Sequence, residues 1–177
     1  MKIIFIRHTK VDAPDGYCYG QMDVPLAKSF VDEANQIQKN ITNHKVDAIY
    51  SSPLSRCRIL AQTLFFSKEI IFDNRLKEMH FGNWEGMYWN DIEKTDEAKK
   101  WFTDYINLPC PKGESFIQMQ ARIQDFLEDL KSFNYNSVAI VSHSGCFRAF
   151  LKILNSMPDD ELFKRKIDFG HVEVFQM

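Results

Sequence analysis

Three short segments of the chain are dominated by apolar residues. They are Lys2–Arg7 (KIIFIR), Val46–Ser51 (VDAIYS) and Ser137–Ser142 (SVAIVS). Runs of this length and composition are typical of strands that are buried on both faces of a parallel sheet. A fourth segment, His171–Gln176, alternates polar and apolar residues, which predicts a last and more exposed strand.

Longer segments between these strands carry apolar residues at steps of three and four, the spacing of a helix with one buried face. The clearest is Ser115–Phe133, where the first serine and Gln118 form a capping box. A second helix is predicted within Ser52–Phe66, with its serine as the N-cap and Pro53 at the first helical position. A third is predicted to begin around Gly145.

The alternation of strands with helices predicts an α/β sandwich with a mostly parallel central sheet. The length of 177 residues favours a single domain over residues 1–177. Ligands of such sheets bind at the carboxyl ends of the strands, so we expect the chemistry of the protein there.

Composition and charge argue against several classes of protein. The 22 Lys and Arg against 24 Asp and Glu give a net charge of −2, so no nucleic-acid partner is expected. No apolar stretch is long enough to cross a bilayer, so no membrane partner is expected either. The four cysteines form no Cys-x-x-Cys pair, which predicts reduced thiols in a cytoplasmic protein and no metal site.

Charged and polar residues follow the predicted strands at points that a parallel sheet would bring together. They are Arg7 and His8, then Arg56, then His143 and Ser144, with Glu78 in a further polar segment. Two arginines and a histidine can bind a phosphoryl group through charge-assisted hydrogen bonds. A neutral imidazole is a nucleophile toward phosphorus, and a carboxylic acid can protonate the departing alkoxide. We therefore expect a small phosphorylated substrate, with no metal and no cofactor.

Five short motifs also occur along the chain in a definite order. They are Arg7-His8, Ser52-Pro53-Leu54-x-Arg56, Glu78 with Phe81-Gly82-x-Trp84-Glu85-Gly86, Gly113-Glu114-Ser115, and Ser142-His143-Ser144-Gly145. This ordered set, which covers most of the chain, resembles the histidine phosphatases of the phosphoglycerate-mutase-like superfamily. The resemblance implies a three-layer α/β/α sandwich.

The resemblance also implies a role for each of these residues. His8 would be the nucleophile that becomes phosphorylated. Glu78 would be the proton donor, although Glu85 competes for that role. His143 would be a catalytic residue as well as a phosphate ligand. The full set of implied phosphate ligands is Arg7, Arg56, His143 and Ser144.

The chain departs from the family pattern close to the nucleophile. Many members have glycine after the histidine, whereas this chain has Thr9, whose hydroxyl could contact phosphate or stiffen the turn. Many members have asparagine where this chain has Pro14, so that phosphate contact is either lost or supplied elsewhere. The run Val11–Leu26 resembles the α-ribazole phosphatase branch, which removes the 5′-phosphate of α-ribazole phosphate in cobalamin biosynthesis. Candidate substrate-binding residues are Thr9, Tyr19 and Gly20.

The sequence leaves the role of several side chains open. Five aromatic residues could form core or a stacking surface for a flat base; they are Trp84, Trp89, Trp101, Phe102 and Tyr105. Arg58 and Arg148 are expected on the surface or in helix packing.

The resemblance favours a metal-independent phosphomonoester hydrolase that works through a phosphohistidine and acts on α-ribazole 5′-phosphate, but other functions and the oligomeric state stay open. The chain could be a broad-specificity sugar phosphatase, a phosphoglycerate mutase or, in a different class, a non-catalytic module that binds phosphorylated ligands. The segment between Gly86 and Lys112 is short, which is expected to leave the pocket open to water and so favours hydrolysis over mutase activity. A homodimer through the last strand is one option for the assembly.

Overall fold

The computed structural model describes residues 1–177, which form seven strands and seven α-helices. The strands are β1 (Lys2–Arg7), β2 (Tyr17–Cys18), β3 (Ala48–Ser51), β4 (Ile71–Phe72), β5 (Met87–Tyr88), β6 (Ser137–Ser142) and β7 (Val172–Gln176). The helices are α1 (Phe30–Ile41), α2 (Ser55–Leu64), α3 (Trp89–Ile92), α4 (Asp96–Thr103), α5 (Phe116–Lys131), α6 (Ser144–Asn155) and α7 (Asp159–Lys164).

The main sheet has five strands in the order β4-β3-β6-β1-β7. The first four in this order run parallel, and β7 lies antiparallel to β1 at one edge. The predicted mostly parallel sheet and the predicted last strand are thus confirmed. In the register of β1 with β6, Lys2 lies opposite Ser137 and Arg7 lies opposite Ser142, so both strands end at the same edge.

Helices cover both faces of the sheet, which confirms the three-layer sandwich. Alternate residues of β1 point to opposite faces. Ile3 and Phe5 belong to a large core cluster that includes residues of α5 and α6. Ile4 and Ile6 belong to a smaller cluster with residues of α1 and α2. Because β1 is buried on both faces, its sequence is nearly continuous in apolar residues.

The start of α2 differs from the prediction. The helix begins at Ser55, after Leu54 in extended conformation, so Ser52 is not its N-cap and Pro53 is not its first residue. The Ser52 hydroxyl instead lies 2.8 Å from Nε2 of His143 and 3.3 Å from the backbone nitrogen of Leu54. A contact with a residue far along the chain therefore takes the place of the predicted cap.

The long helix α5 matches its prediction closely, running from Phe116 to Lys131. Its capping box is present: the Ser115 amide donates to Oε1 of Gln118 at 2.8 Å, and the Gln118 amide donates to Oγ of Ser115 at 3.3 Å. This cap satisfies two donors of the first turn at the point where the chain enters the core.

Three expectations from composition concern cysteines, membranes and metals. All four cysteines are free and buried. No helix of the structure combines the length and the apolar content that a membrane span needs. No cluster of three or more His, Cys, Asp or Glu side chains could hold a metal ion. The cytoplasmic location stays a prediction.

We expect Ser115→Ala to lower the free energy of unfolding by about 1 kcal/mol, because the first turn of α5 loses its capping acceptor. Ser132→Ala, at the exposed C-terminal end of the same helix, is the matched control and should change stability by less than about 0.5 kcal/mol. Urea denaturation measures both variants. Equal losses in the two would show that the capping box contributes nothing specific.

Candidate active site

The shared edge of β1 and β6 brings His8 and His143 together, because each follows the last residue of its strand. Their ring centroids are 5.1 Å apart, with an angle of 65° between the ring planes. Both side chains are buried. The two histidines, 135 residues apart in sequence, thus form the centre of one candidate site.

The surroundings of His8 fix which ring nitrogen is free. Nδ1 lies 2.7 Å from the carbonyl oxygen of Thr9, and a carbonyl only accepts, so Nδ1 carries the proton and donates. The lone pair is then on Nε2. Burial lowers the pKa of His8 well below its usual value, and the positive charges of Arg56 and Arg7 lower it further. His8 is therefore a neutral imidazole with a free lone pair near pH 7.

The ring of His143 contacts two side chains, one on α2 and one just before it. Its Nε2 lies 2.8 Å from Oγ of Ser52 and 3.4 Å from Sγ of Cys57. Burial lowers the pKa of His143 well below its usual value, and the positive charge of Arg56 adds to the effect. Ser52 and Cys57 are not among the predicted site residues, because their contact with His143 exists only in the folded chain.

Arg56 is fully buried, and backbone carbonyls hold its outer nitrogens. Nη1 donates to the carbonyl of Met22 at 2.9 Å, and Nη2 donates to that of Gly20 at 2.6 Å. Nε of Arg56 is buried without a partner. Since Arg56 also lacks a salt bridge, its charge is uncompensated in the free protein.

Arg7 has a similar environment on the other side of the site. Its Nη1 donates to the carbonyl of Ile167, and its guanidinium lies 4.1 Å above the ring of Phe169. Nε is buried without a partner here too. Burial lowers the pKa of Arg7, and the nearby Glu78 and Asp168 carboxylates offset only part of this effect. Unpaired buried donors are rare in proteins, and two guanidinium groups with such donors beside two histidines suit an anionic ligand.

Glu78 lies next to the first turn of α6. Its Oε1 accepts from the amides of Met79 at 2.9 Å and Gly145 at 3.0 Å. The Ser144 hydroxyl donates to Oε2 at 3.3 Å. Ser144, predicted as a phosphate ligand, thus contacts Glu78 in the free protein. The positive end of α6 faces the Glu78 carboxylate and holds it in place at the wall of a cavity.

Glu85 has a different environment from Glu78. Its Oε1 accepts from the backbone amides of Gln21 and Phe81, both at 3.0 Å. A side chain at Gly20 would collide with the same oxygen, and Gly20 has φ +42°, so only glycine fits there. Glu85 therefore holds backbone in place, and Glu78 is the better placed of the two carboxylates for chemistry.

Three further residues that the sequence singles out have different positions relative to the site. Thr9 is fully buried, and its hydroxyl has no partner. The Tyr19 ring lies 5.1 Å from the Arg56 guanidinium, and its hydroxyl interacts with Arg7. Pro14 is exposed and only its carbonyl is used, accepting from the Tyr17 amide at 3.2 Å. Two hydroxyl-bearing residues thus lie near the site, to which Pro14 contributes no side-chain donor.

A cavity of about 550 Å³ opens beside Glu78 and Ser144. We call it the aromatic cavity, because its walls include Tyr17, Tyr19, Phe81, Trp89, Trp101, Phe102, Tyr105, Phe116 and Phe163. The segment from Gly86 to Lys112, expected to leave the pocket open, folds into α3 and α4 and supplies several of these rings.

The sequence does not decide whether the five aromatic residues form core or a stacking surface, and the structure contains examples of both. Trp84 and Trp101 are core, at 4% and 9% exposure, and Trp101 also lines the cavity. Phe102 lines the cavity as well but is 44% exposed, so the core interpretation is wrong for this residue.

The expectation of helix packing for Arg148 is confirmed, because its guanidinium lies 5.8 Å from the ring of Phe163 on α7 and its Nη2 donates to the carbonyl of Arg165. Its side chain also lines the aromatic cavity, a position that the prediction did not include. It lies four residues after Ser144 on α6, which places both on one helix face. That spacing is the signal in the sequence that could identify it.

A three-layer α/β/α sandwich with two histidines and two arginines at one sheet edge has the features of an enzyme that acts on phosphate esters. The chain belongs to the histidine phosphatase superfamily (branch 1), which it matches over residues 3–177. It is therefore a phosphatase rather than a non-catalytic binding module.

Three similar proteins illustrate the range of the family. The chain is 30% identical to the metal-independent phosphoserine phosphatase of Arabidopsis thaliana, over 97% of this chain and 76% of that protein. It is 25% identical to the adenosylcobalamin/alpha-ribazole phosphatase of Escherichia coli, over 96% and 87%. The structure of the alpha-ribazole phosphatase from Shigella flexneri has a TM-score of 0.89 at 24% identity, covering 98% of this chain and 89% of that one.

The lowered pKa values of His8 and His143 predict a pH-dependent stability. Below pH about 6.5 the unfolded chain binds protons at these positions while the folded protein does not, so the free energy of unfolding falls as pH decreases. Each histidine contributes a slope of at most about 1.4 kcal/mol per pH unit. Urea denaturation between pH 7 and 5 should give a smaller slope for His143→Gln than for the wild type. An unchanged slope would contradict the prediction.

Proposed function

We propose that this phosphatase hydrolyses phosphomonoesters through a phosphohistidine at Nε2 of His8, and that its substrate is α-ribazole 5′-phosphate. The hydrogen bond from Nδ1 of His8 to the Thr9 carbonyl supports the choice of nitrogen. The aromatic cavity beside Glu78 is the observation that carries the choice of substrate.

In the first step, Nε2 of His8 attacks phosphorus and forms a P–N bond. The ester P–O bond breaks, and its electron pair goes to the leaving oxygen. This step requires a proton on Glu78, which moves to that oxygen, so the alcohol departs neutral. Arg7 and Arg56 donate to the phosphoryl oxygens, and their charges stabilise the transition state.

In the second step, water attacks the phosphohistidine. Glu78, now a carboxylate, accepts a proton from the water as its oxygen bonds to phosphorus. The P–N bond breaks, and its electron pair returns to Nε2 of His8. Phosphate leaves, and both residues are back in their starting protonation states. His143 remains beside the phosphoryl group throughout as a hydrogen-bonding ligand.

The shape and chemistry of the aromatic cavity support a leaving alcohol with a flat apolar ring. Its volume of about 550 Å³ suits a ligand with several rings. Trp89 and Trp101 lie nearly parallel, with an angle of 25° between their planes, and Tyr17 and Tyr19 line the same space. The dimethylbenzimidazole of α-ribazole is such a ring, and aromatic faces are its favoured neighbours.

A second candidate substrate is phosphoserine, favoured by the 30% identity to a phosphoserine phosphatase. Phosphoserine is small and fully polar, and most of the cavity would remain empty around it. Two more candidate functions are the hydrolysis of sugar phosphates with broad specificity and phosphoglycerate mutase activity. A single panel of substrates compares all of these functions.

We expect kcat/KM for α-ribazole 5′-phosphate to exceed that for phosphoserine, sugar phosphates, nucleotides and 3-phosphoglycerate by at least about 10-fold. The assay measures phosphate release in the presence of a chelator, and His8→Ala serves as the inactive control. A higher value for phosphoserine would transfer the substrate assignment to it. Phosphoryl transfer between phosphoglycerates, faster than phosphate release, would identify a mutase instead.

The roles of the two carboxylates can be separated by Glu78→Gln and Glu85→Gln. Loss of a general acid–base residue costs about 10²- to 10⁴-fold in rate. We expect Glu78→Gln to lose this much with an alkyl phosphate, and less in the phosphorylation step with p-nitrophenyl phosphate, whose leaving group needs no proton. A rapid burst of p-nitrophenol should then precede slow turnover. Glu85→Gln should lower stability and show no burst, and the reverse pattern would reassign the proton donor.

A further inference from the structure

Arg148 is a partly buried cation in the wall of the aromatic cavity. It extends from α6, with Nη1 3.5 Å from the carbonyl of Ser144 and Nη2 3.1 Å from that of Arg165. Its Nε is buried without a partner, and no carboxylate forms a salt bridge with it. Of its five N–H donors, only one makes a hydrogen bond of ordinary length.

The position of Arg148 differs from that of the other unpaired cations. Arg7 and Arg56 lie around the two histidines and do not line the aromatic cavity, whereas Arg148 does. Its neighbour Ser144 donates to Glu78, so Arg148 lies beside the carboxylate proposed to protonate the leaving oxygen. A substrate with its phosphoryl group at His8 would therefore present its alcohol portion, and not its phosphate, to Arg148.

The aromatic rings continue from Arg148 along the cavity. Its guanidinium lies 5.8 Å from the Phe163 ring, which contacts Tyr105 with a centroid distance of 4.7 Å. Tyr105 in turn lies 5.8 Å from Trp101. The wall thus has a cationic side chain at one end and a row of aromatic rings beyond it, so a polar part and a ring of the leaving group can bind at separate positions.

We propose that Arg148 is a specificity-determining residue that donates hydrogen bonds to an acceptor oxygen of the leaving alcohol. This inference rests on the proposed function and adds to it a requirement for the substrate. A guanidinium only donates, so the group that binds it must be an acceptor such as a sugar hydroxyl oxygen. In α-ribazole 5′-phosphate, the ribose oxygens lie between the ester and the ring, which matches the order of Arg148 and the aromatic wall.

The test compares Arg148→Met and Arg148→Lys with the wild type on two substrates. Arg58→Met is the matched control, because Arg58 is exposed on α2 and does not line the cavity. The first substrate is α-ribazole 5′-phosphate, and the second is p-nitrophenyl phosphate, whose leaving group lacks sugar oxygens. Thermal unfolding of each variant reports whether the fold is retained.

We expect Arg148→Met to lower kcat/KM for α-ribazole 5′-phosphate by about 30-fold, mainly through KM, because a charge-assisted hydrogen bond is lost. Turnover of p-nitrophenyl phosphate should stay within about threefold of the wild type, and Arg148→Lys should recover part of the loss. Equal losses on both substrates, or no loss on either, would overturn the proposal.

The experiment shows separately whether the proposed substrate is wrong and whether the proposed role of Arg148 is wrong. If the wild type does not hydrolyse α-ribazole 5′-phosphate, the proposed substrate is wrong. The Arg148 variants are then compared on the best substrate of the panel, and the same selective loss relative to p-nitrophenyl phosphate supports the role of Arg148. Absence of that selectivity rejects the role, whatever the substrate is.

Discussion

The parallel pairing of β1 with β6 is the constraint on which the rest of the site depends. Arg7 lies opposite Ser142 in this register, so the next residue of each strand is a histidine at the same sheet edge. A slip of one residue would turn each side chain of β1 to the other face and remove Phe5 from its ring contacts with Phe147 and Phe150 in the large core cluster. The packing that holds the sheet together therefore also fixes the distance between His8 and His143.

This placement has an electrostatic consequence. Two arginines lie close to two buried imidazoles, and both burial and like charge disfavour protonation of the rings. The same guanidinium groups have unused buried donors, which costs stability in the free protein. In the proposed reaction, a phosphate ester supplies the missing negative charge. The free energy lost to unpaired cations on folding would then be available to bind the phosphoryl group, while the same cations keep His8 neutral.

Local signals in the sequence predict the elements that depend on neighbouring residues. The apolar run of β1 and the capping box of α5 are such signals, and both elements are present in the structure. Ser52 followed by proline is an equally good local signal for a helix start, but its hydroxyl contacts His143, which is 91 residues away. For Arg148, only the spacing of four residues from Ser144 on α6 points to the cavity, because most of the other cavity walls come from distant segments of the chain. Long-range contacts decide such positions, and propensity cannot anticipate them.

The phosphate chemistry and the choice of alcohol depend on different parts of the fold. His8 and His143 are fixed by the sheet, whereas Trp89 and Trp101 belong to the short helices α3 and α4 and line the aromatic cavity. The segment that carries these helices can change without altering the register of the strands. A core of this kind can therefore serve different phosphate esters in different proteins, and the proposed roles of Arg148 and the aromatic rings place the preference for one of them outside the sheet.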